Sequence, residues 1–248
     1  TPNSDGAGVV EAVGPGVSEA WVGKRVWFYN GQRNGRAFGS AAEYIELDID
    51  LLSELPDAVS FAEGATLGIP CMTAHRALFL AGPVQGRTVL VTGGAGAVGH
   101  YAVQLAAWAG ATVIATVSSE EKAERARVGG AHHVIDYRRE DVAARVRELT
   151  EGQGVHHVVE VDFGGNIAST LASIAMNGSL AYYATKGAPT PVVPAGAAMG
   201  LNLMIHGVYL PVSPHEARKR AQQDITRWIG TGERILSVAG RFPLADCA

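Results

Sequence analysis

The stretch Thr88–Lys122 constrains this chain more than any other. Val89–Val91 is short and apolar, which predicts a buried strand. Gly93, Gly94, Gly96 and Gly99 follow, the last three in G-x-G-x-x-G spacing. Ala102–Ala109 is apolar on nearly every face, as a helix buried between two layers would be. Gly110 ends it, and Ala111–Val117 supplies the next strand. Strand, glycine turn, helix and strand form the unit that seats a dinucleotide pyrophosphate on a helix N-terminus. A side chain at Gly96 would hold the backbone away from the phosphates, and one at Gly99 would push helix from strand. In a chain of 31 glycines the spacing alone says little; its position between strand and helix favours a cofactor site over a plain turn.

The chain has 248 residues, room for one large or two modest domains. With 47% hydrophobic and 18% charged residues it is an ordinary globular sequence, not a disordered one. A formal charge of −4 gives no reason to expect a nucleic-acid or anionic-membrane surface. Cys71 and Cys247 are too few and too far apart in sequence for a disulfide framework. No apolar run suits a bilayer and no signal peptide is visible, so a cytoplasmic location is expected by default. The chain starts at Thr1 and stops just after a new segment begins, so both ends are expected to belong to a longer protein.

Before the glycine turn the pattern is β-like. Val9, Glu11 and Val13 alternate, Gly14-Pro15-Gly16 turns, and Arg25–Tyr29 and Ala41–Leu47 read as further strands. Asn30–Gly39 is a polar loop, Ser60 is placed to cap a helix from Phe61, and Met72–Leu80 reads as another helix. After it, strands and helices alternate, the signature of a parallel sheet with crossover helices. Ser118 with Glu121 forms a capping box for a helix over Ser119–Val128. Strands are predicted at His133–Asp136, Val155–Val161, Ser179–Ala184 and Met204–Leu210, with helices around Val142–Leu149 and over Ile167–Met176. Asn177-Gly178 reads as a turn, and Ser213-Pro214-His215-Glu216 starts a helix that runs to about Ile229.

With these segments placed, three stretches become recognisable. Thr1–Gly14 resembles the first-domain signature of medium-chain dehydrogenases/reductases. Gly68–Leu78 resembles the segment by which their quinone-reductase, or zeta-crystallin, branch enters the cofactor domain, and Arg241–Asp246 the start of the return. The resemblance implies an α/β fold: a Rossmann doubly wound parallel sheet plus a discontinuous GroES-like β-barrel domain, truncated at both ends. Its boundaries would be 1–66 for part of the GroES-like domain, 67–229 for the Rossmann domain and 230–248 for the return segment.

Many relatives in that superfamily carry zinc, but their His-Glu pair corresponds here to Ser4-Asp5 and a cysteine ligand to Ile69, with Cys71 out of register. No four-cysteine cluster is present, and His132-His133 and His156-His157 lack ligand spacing, so a zinc-independent protein is expected. Without a Lewis acid, the acceptor implied is a quinone or conjugated enone, whose incoming charge delocalises onto an oxygen. NADPH is the implied hydride source, because the second strand ends Thr116-Val117-Ser118-Ser119 with no carboxylate for a ribose 2′-hydroxyl. Lys122, one helical turn beyond Ser118, can face the same pocket; otherwise it is a solvated charge paired with Glu121 or Glu124.

Carried over residue by residue, the resemblance puts Ala95, Gly96, Ala97 and Val98 at the pyrophosphate, and Ser118, Lys122 and Tyr137 on the adenosine side. Asn166 matches a polar cofactor contact after the fourth strand, while Thr73, the loop Tyr183, Ala184, Thr185 and Lys186, and the loop Tyr209, Leu210 and Pro211 fall towards the nicotinamide half. Asn166 equally suits a helix cap and Tyr137 a strand end, while Lys186 reads as a loop charge and Tyr209 as core. No side chain stands out as a general acid, and the catalytic residues stay unknown. Alternatives in play are an enoyl-thioester or alkenal reductase and, from another class, a crystallin-like structural or AU-rich RNA-binding protein. The absence of a dense Lys/Arg run with interleaved aromatics argues against the last. A homodimer or homotetramer is implied, paired through Met204–Leu210.

Overall fold

The computed structural model describes residues 2–32 and 36–246. Its chain groups into two units, Thr1–Met72 with Leu210–Ala248, and Thr73–Tyr209. In the first, β1 (Gly6–Val9), β2 (Arg25–Phe28) and β3 (Leu52–Glu54) form an antiparallel sheet in that order. The alternation predicted over Val9–Val13 contributes only its first residue, since β1 ends at Val9. Ala41–Leu47 is not a strand: Glu43, Tyr44 and Glu46 are exposed there and no neighbouring strand pairs with the segment among the described residues. The third strand is β3, which the sequence pattern does not single out. Helix α1 (Phe61–Gly64) is held by the predicted cap, with Ser60 accepting from the Glu63 N–H and Glu63 reaching back to the Ser60 N–H. Helix α2 (Gly68–Phe79) starts four residues before the predicted Met72. Pro70 lies in its first turn, where no backbone donor is needed.

The second unit begins its sheet with β4 (Thr88–Val91), followed by α3 (Ala97–Trp108), β5 (Thr112–Val117), α4 (Glu120–Val128) and β6 (His133–Asp136). Helix α5 (Val142–Leu149), β7 (Val155–Glu160), α6 (Phe163–Ser173), β8 (Ile174–Tyr182), α7 (Ala195–Gly200) and β9 (Met204–Gly207) complete it. All six strands are parallel, in the order β6-β5-β4-β7-β8-β9, which is the doubly wound Rossmann arrangement. Leu90, Ile114, Ile135, Val158 and Leu180 lie under α5 and α6, whose Val146, Phe163, Ile167 and Leu171 close the core. Helix α6 starts earlier than predicted because Asp162 caps it, accepting from the Gly165 N–H. Strand β8 runs straight through the predicted Asn177-Gly178 turn: Asn177 takes φ 59° and the pairing with β7 shifts register nearby.

Helix α8 (His215–Gly230) belongs with the first unit. Its Gln222 side chain donates to the carbonyls of Asp50 and Leu52 at 3.1 Å, and its fully buried Trp228 joins Trp27 in that unit's core. The boundaries that the resemblance implies, after 66 and after 229, place this helix with the Rossmann domain instead. Ser213 is not the cap: Pro214 holds that position without a side-chain hydrogen bond. No helix among the described residues is long and apolar enough to cross a membrane. Cys71 is free and fully buried, its thiol pushed well up by burial, and Cys247 lies outside the described residues.

Candidate functional site

In an open parallel sheet, ligands bind beyond the C-terminal ends of the strands where the order reverses, here between β4 and its neighbours β5 and β7. The glycine turn sits there. Its Gly93 N–H donates to the Thr116 hydroxyl at 3.1 Å and its Gly94 N–H to the Thr116 carbonyl at 2.9 Å, which ties the turn to the end of β5. A Cβ on Gly99 would fall 2.2 Å from the Gly93 carbonyl oxygen, so the first turn of α3 packs on the glycine turn with no room between. A Cβ on Gly96 would meet only that oxygen, at 3.2 Å. Gly96 is the exposed N-cap of α3 and no side chain caps the helix there. Bare N–H groups at the positive end of a helix dipole are what an anionic pyrophosphate needs. Ala95, Ala97 and Val98 flank Gly96 in the chain and none is fully buried.

At the end of β5, Ser118 is buried and accepts a 2.9 Å hydrogen bond from the Lys122 ammonium. The two side chains therefore meet at the strand end. The competing ion pair does not form: Arg127 takes Glu120 and Glu124, leaving Lys122 to Ser118. The cap of α4 is shifted by one from the predicted position, because Ser119 accepts from the Lys122 N–H while Ser118 turns its hydroxyl to the lysine side chain. Tyr137 follows β6 directly alongside, its N–H donating to the Val117 carbonyl, with a half-exposed ring.

Beyond β7 and β8 the predicted residues are placed differently. The Asn166 amide nitrogen donates one hydrogen bond to the Glu160 carboxylate, at 2.8 Å. Tyr183 and Ala184 are held by backbone bonds, the first donating to the Glu160 carbonyl and the second accepting from the Phe163 N–H. Burial, helped by the Glu160 charge, raises the Tyr183 phenol far above its ordinary value. The Thr185 hydroxyl accepts from the Gly164 N–H and donates to the Ala188 carbonyl, while Lys186 is exposed. Thr73 is buried in α2. Tyr209 is exposed at the end of the second unit; Leu210 is buried in the first, where Arg218 also holds the Pro211 carbonyl.

Sequence reasoning missed Thr92, Thr116, Glu160 and Asp162, whose side chains hold these segments. The available signal was Glu160 itself, a carboxylate in the otherwise apolar run Val158–Val161. At the positions that zinc-bearing relatives use, the Asp5 carboxylate instead accepts from the Ile69 N–H at 2.9 Å. No group of three or more His, Cys, Asp or Glu suited to a metal ion occurs among the described residues.

A zinc-binding dehydrogenase model matches residues 97–226, and an alcohol dehydrogenase GroES-like domain model matches residues 1–57. Quinone oxidoreductase of Pseudomonas aeruginosa is 36% identical over 253 residues, covering 99% of this chain and 75% of that protein. Human quinone oxidoreductase is 31% identical over 188 residues, 75% of this chain, and the match spans only 56% of the human protein. A mycobacterial protein solved in complex with NADPH superposes with a TM-score of 0.83 at 34% identity, over 98% of this chain and 76% of that one. The chain belongs to the zinc-binding dehydrogenase family, the medium-chain dehydrogenases/reductases, in the branch that contains the quinone oxidoreductases.

Proposed function

We propose that this chain is the greater part of an NADPH-dependent quinone oxidoreductase that works without zinc. The observation that carries the reading is the Ser118–Lys122 contact at the end of β5. A strand end with a hydroxyl and an ammonium, and no carboxylate, suits a ribose 2′-phosphate, whereas Asp or Glu there would repel it. The uncapped N-terminus of α3 supports a pyrophosphate beside it. Bound there, NADPH would supply two electrons and a hydrogen as hydride. The chain's own residues would fix its pyrophosphate and its 2′-phosphate, orient the ring and exclude water. A quinone or similar conjugated carbonyl needs little polarisation, which fits Asp5 being spent on the backbone of α2 rather than offered to a metal. The reading extends to a cytoplasmic homodimer or homotetramer paired through the β9 edge, where Met204 is half exposed at the end of the sheet.

The test is kcat/KM for NADPH and NADH in the wild type, Lys122→Ala and Ser118→Asp. A charge-assisted hydrogen bond from Lys122 is worth about 1.5–3 kcal/mol, so Lys122→Ala should weaken NADPH roughly ten- to a hundred-fold and leave NADH nearly unchanged. Ser118→Asp should reverse the preference. Equal use of both cofactors by the wild type would overturn the reading of this pocket.

A further inference from the structure

The half of the sheet edge beyond β7 is built around two carboxylates that no cofactor contact accounts for. Glu160 closes β7 and is fully buried. Its Oε1 accepts from the Thr92 hydroxyl at 2.9 Å, from the Asp162 N–H at 2.6 Å and from the Asn166 amide at 2.8 Å; its Oε2 accepts from the Thr170 hydroxyl at 3.0 Å. None of these partners is a cation. A buried carboxylate is costly unless its lone pairs are filled, and four donors fill them here. Thr92 is the residue before the glycine turn, and its oxygen in turn accepts from the Val161 N–H at 2.9 Å. Glu160 thus joins the root of the glycine turn to the loop before α6 and to two positions along that helix.

Asp162 makes the next link. It caps α6, and both its oxygens accept from the Gly187 N–H, at 2.9 and 3.1 Å. Thr185 completes the junction from the other side, through Gly164 and Ala188. The two loops meet backbone to backbone: a Cβ on Gly164 would lie 2.1 Å from the Ala188 carbonyl oxygen, and one on Gly187 would lie 2.7 Å from the Gly165 Cα. Chain segments 92–94, 160–166 and 183–188 are therefore cross-linked by side chains in addition to the backbone bonds that Tyr183 and Ala184 make.

We propose that Glu160 and Asp162 are positioning residues that lock the β7–α6 loop and the loop after β8 to the glycine turn before any cofactor arrives. This rests on the cofactor reading above for its purpose, though not for its geometry. A preformed site spends no binding energy on ordering loops, so losing the lock should appear as weaker cofactor binding and as loosened loops in the cofactor-free chain. Acceptor capacity, not charge, is what Thr92, Asp162 and Asn166 use. Glu160→Gln can keep its oxygen on those three donors and turn its amide to the Thr170 hydroxyl, which is able to accept.

The experiment compares wild type, Glu160→Gln, Glu160→Leu and Asp162→Ala by amide hydrogen exchange without cofactor and by equilibrium NADPH binding. Asp162→Ala should speed exchange over 163–166 and 185–188 about tenfold, with β4 and β5 still protected, and weaken NADPH about tenfold. Glu160→Leu should extend the loosening to 92–94, while Glu160→Gln should stay within about threefold of wild type on both readouts. Unchanged exchange at 185–188 in Asp162→Ala would overturn the proposal. So would Glu160→Gln behaving like Glu160→Leu, or protection lost evenly across β4–β8. If the wild type binds no NADPH, the cofactor reading falls, and the exchange pattern still decides whether the lock exists.

Discussion

The two halves of the sheet edge are built by opposite means. On the β5 side the functional contacts are local: Gly96 and Gly99 are three residues apart in sequence, and Ser118 meets Lys122 across one helical turn. On the β7 side they are not. Glu160 reaches back to Thr92, and Asp162 reaches forward to Gly187. Local encoding makes a site that survives changes elsewhere in the fold; non-local encoding makes one that exists only once the sheet has formed. The first half should therefore fail residue by residue and the second as a unit.

The largest effects should come from forcing a side chain into the glycine turn. Gly99→Ala puts a Cβ against the Gly93 carbonyl, and both neighbours are backbone, so α3 must back away from β4. A loss of about 1–3 kcal/mol is expected, read as a lower thermal midpoint, together with loss of NADPH binding. Gly96→Ala points into the exposed mouth and should cost less than about 0.5 kcal/mol of stability while still weakening the cofactor. If both substitutions destabilise alike, the division between a packing glycine and a ligand glycine is wrong.

Acid titration separates the halves in a second way. His100, on α3, is buried with neither ring nitrogen hydrogen-bonded, and burial, with Arg125 nearby, lowers its pKa to about 4. His157, on β7, is also held to about 4 by burial, but it is fully used. Its Nε2 donates to the Ala77 carbonyl at 2.9 Å, and its Nδ1 accepts from the Ser179 hydroxyl at 2.7 Å. Above the ordinary value of 6.5 both folded and unfolded rings are neutral and stability does not depend on them. As pH falls below that value only the unfolded chain takes up the proton, so stability drops until the folded rings titrate near 4. Each ring accounts for roughly 3 kcal/mol over that window. Denaturant melts at pH 7 and 4.5 should find that His100→Leu costs little at pH 7 and removes part of the acid loss. His157→Leu should cost about 2 kcal/mol at pH 7, because it strands the groups of Ser179 and Ala77. Equal costs at pH 7 would show that burial, not partnership, sets the role of both rings.

The same contrast explains what was legible beforehand. The parallel sheet, the glycine turn and the Ser118–Lys122 pairing follow from periodicity and short spacings, and the structure has them. Ala41–Leu47 looked like a strand because alternation says nothing about whether a neighbouring strand is there to pair with it. The resemblance carries helix α8 with the Rossmann domain, whereas its Gln222 and Trp228 are used in the first unit, a partnership its own hydrophobic pattern does not encode. The bond from Asn166 to Glu160 was not legible, because its partner lies in an otherwise apolar strand six residues away.

The smallest expected effect tests whether the local half is as self-contained as it looks. Gly93 lies outside the spaced motif and takes φ 64°, and its N–H is held by the hydroxyl of Thr116, at the far end of the next strand. Thr116 is buried, and as a β-branched residue it suits its strand with or without the hydroxyl, so Thr116→Val keeps shape and removes one acceptor. The Gly94 N–H keeps its backbone partner, the Thr116 carbonyl, in either case. What changes is a single N–H beside the helix N-terminus, worth about 0.5–1.5 kcal/mol. NADPH affinity should fall by roughly two- to tenfold, and Thr116→Ser, which keeps the oxygen, should restore it. If Thr116→Val binds NADPH as well as the wild type does, the glycine turn holds its shape through its own sequence, and the contrast between the two halves is complete. If the loss exceeds that range, the turn depends on β5 as heavily as the Glu160 network depends on β4, and the two halves differ only in how far apart their partners lie along the chain.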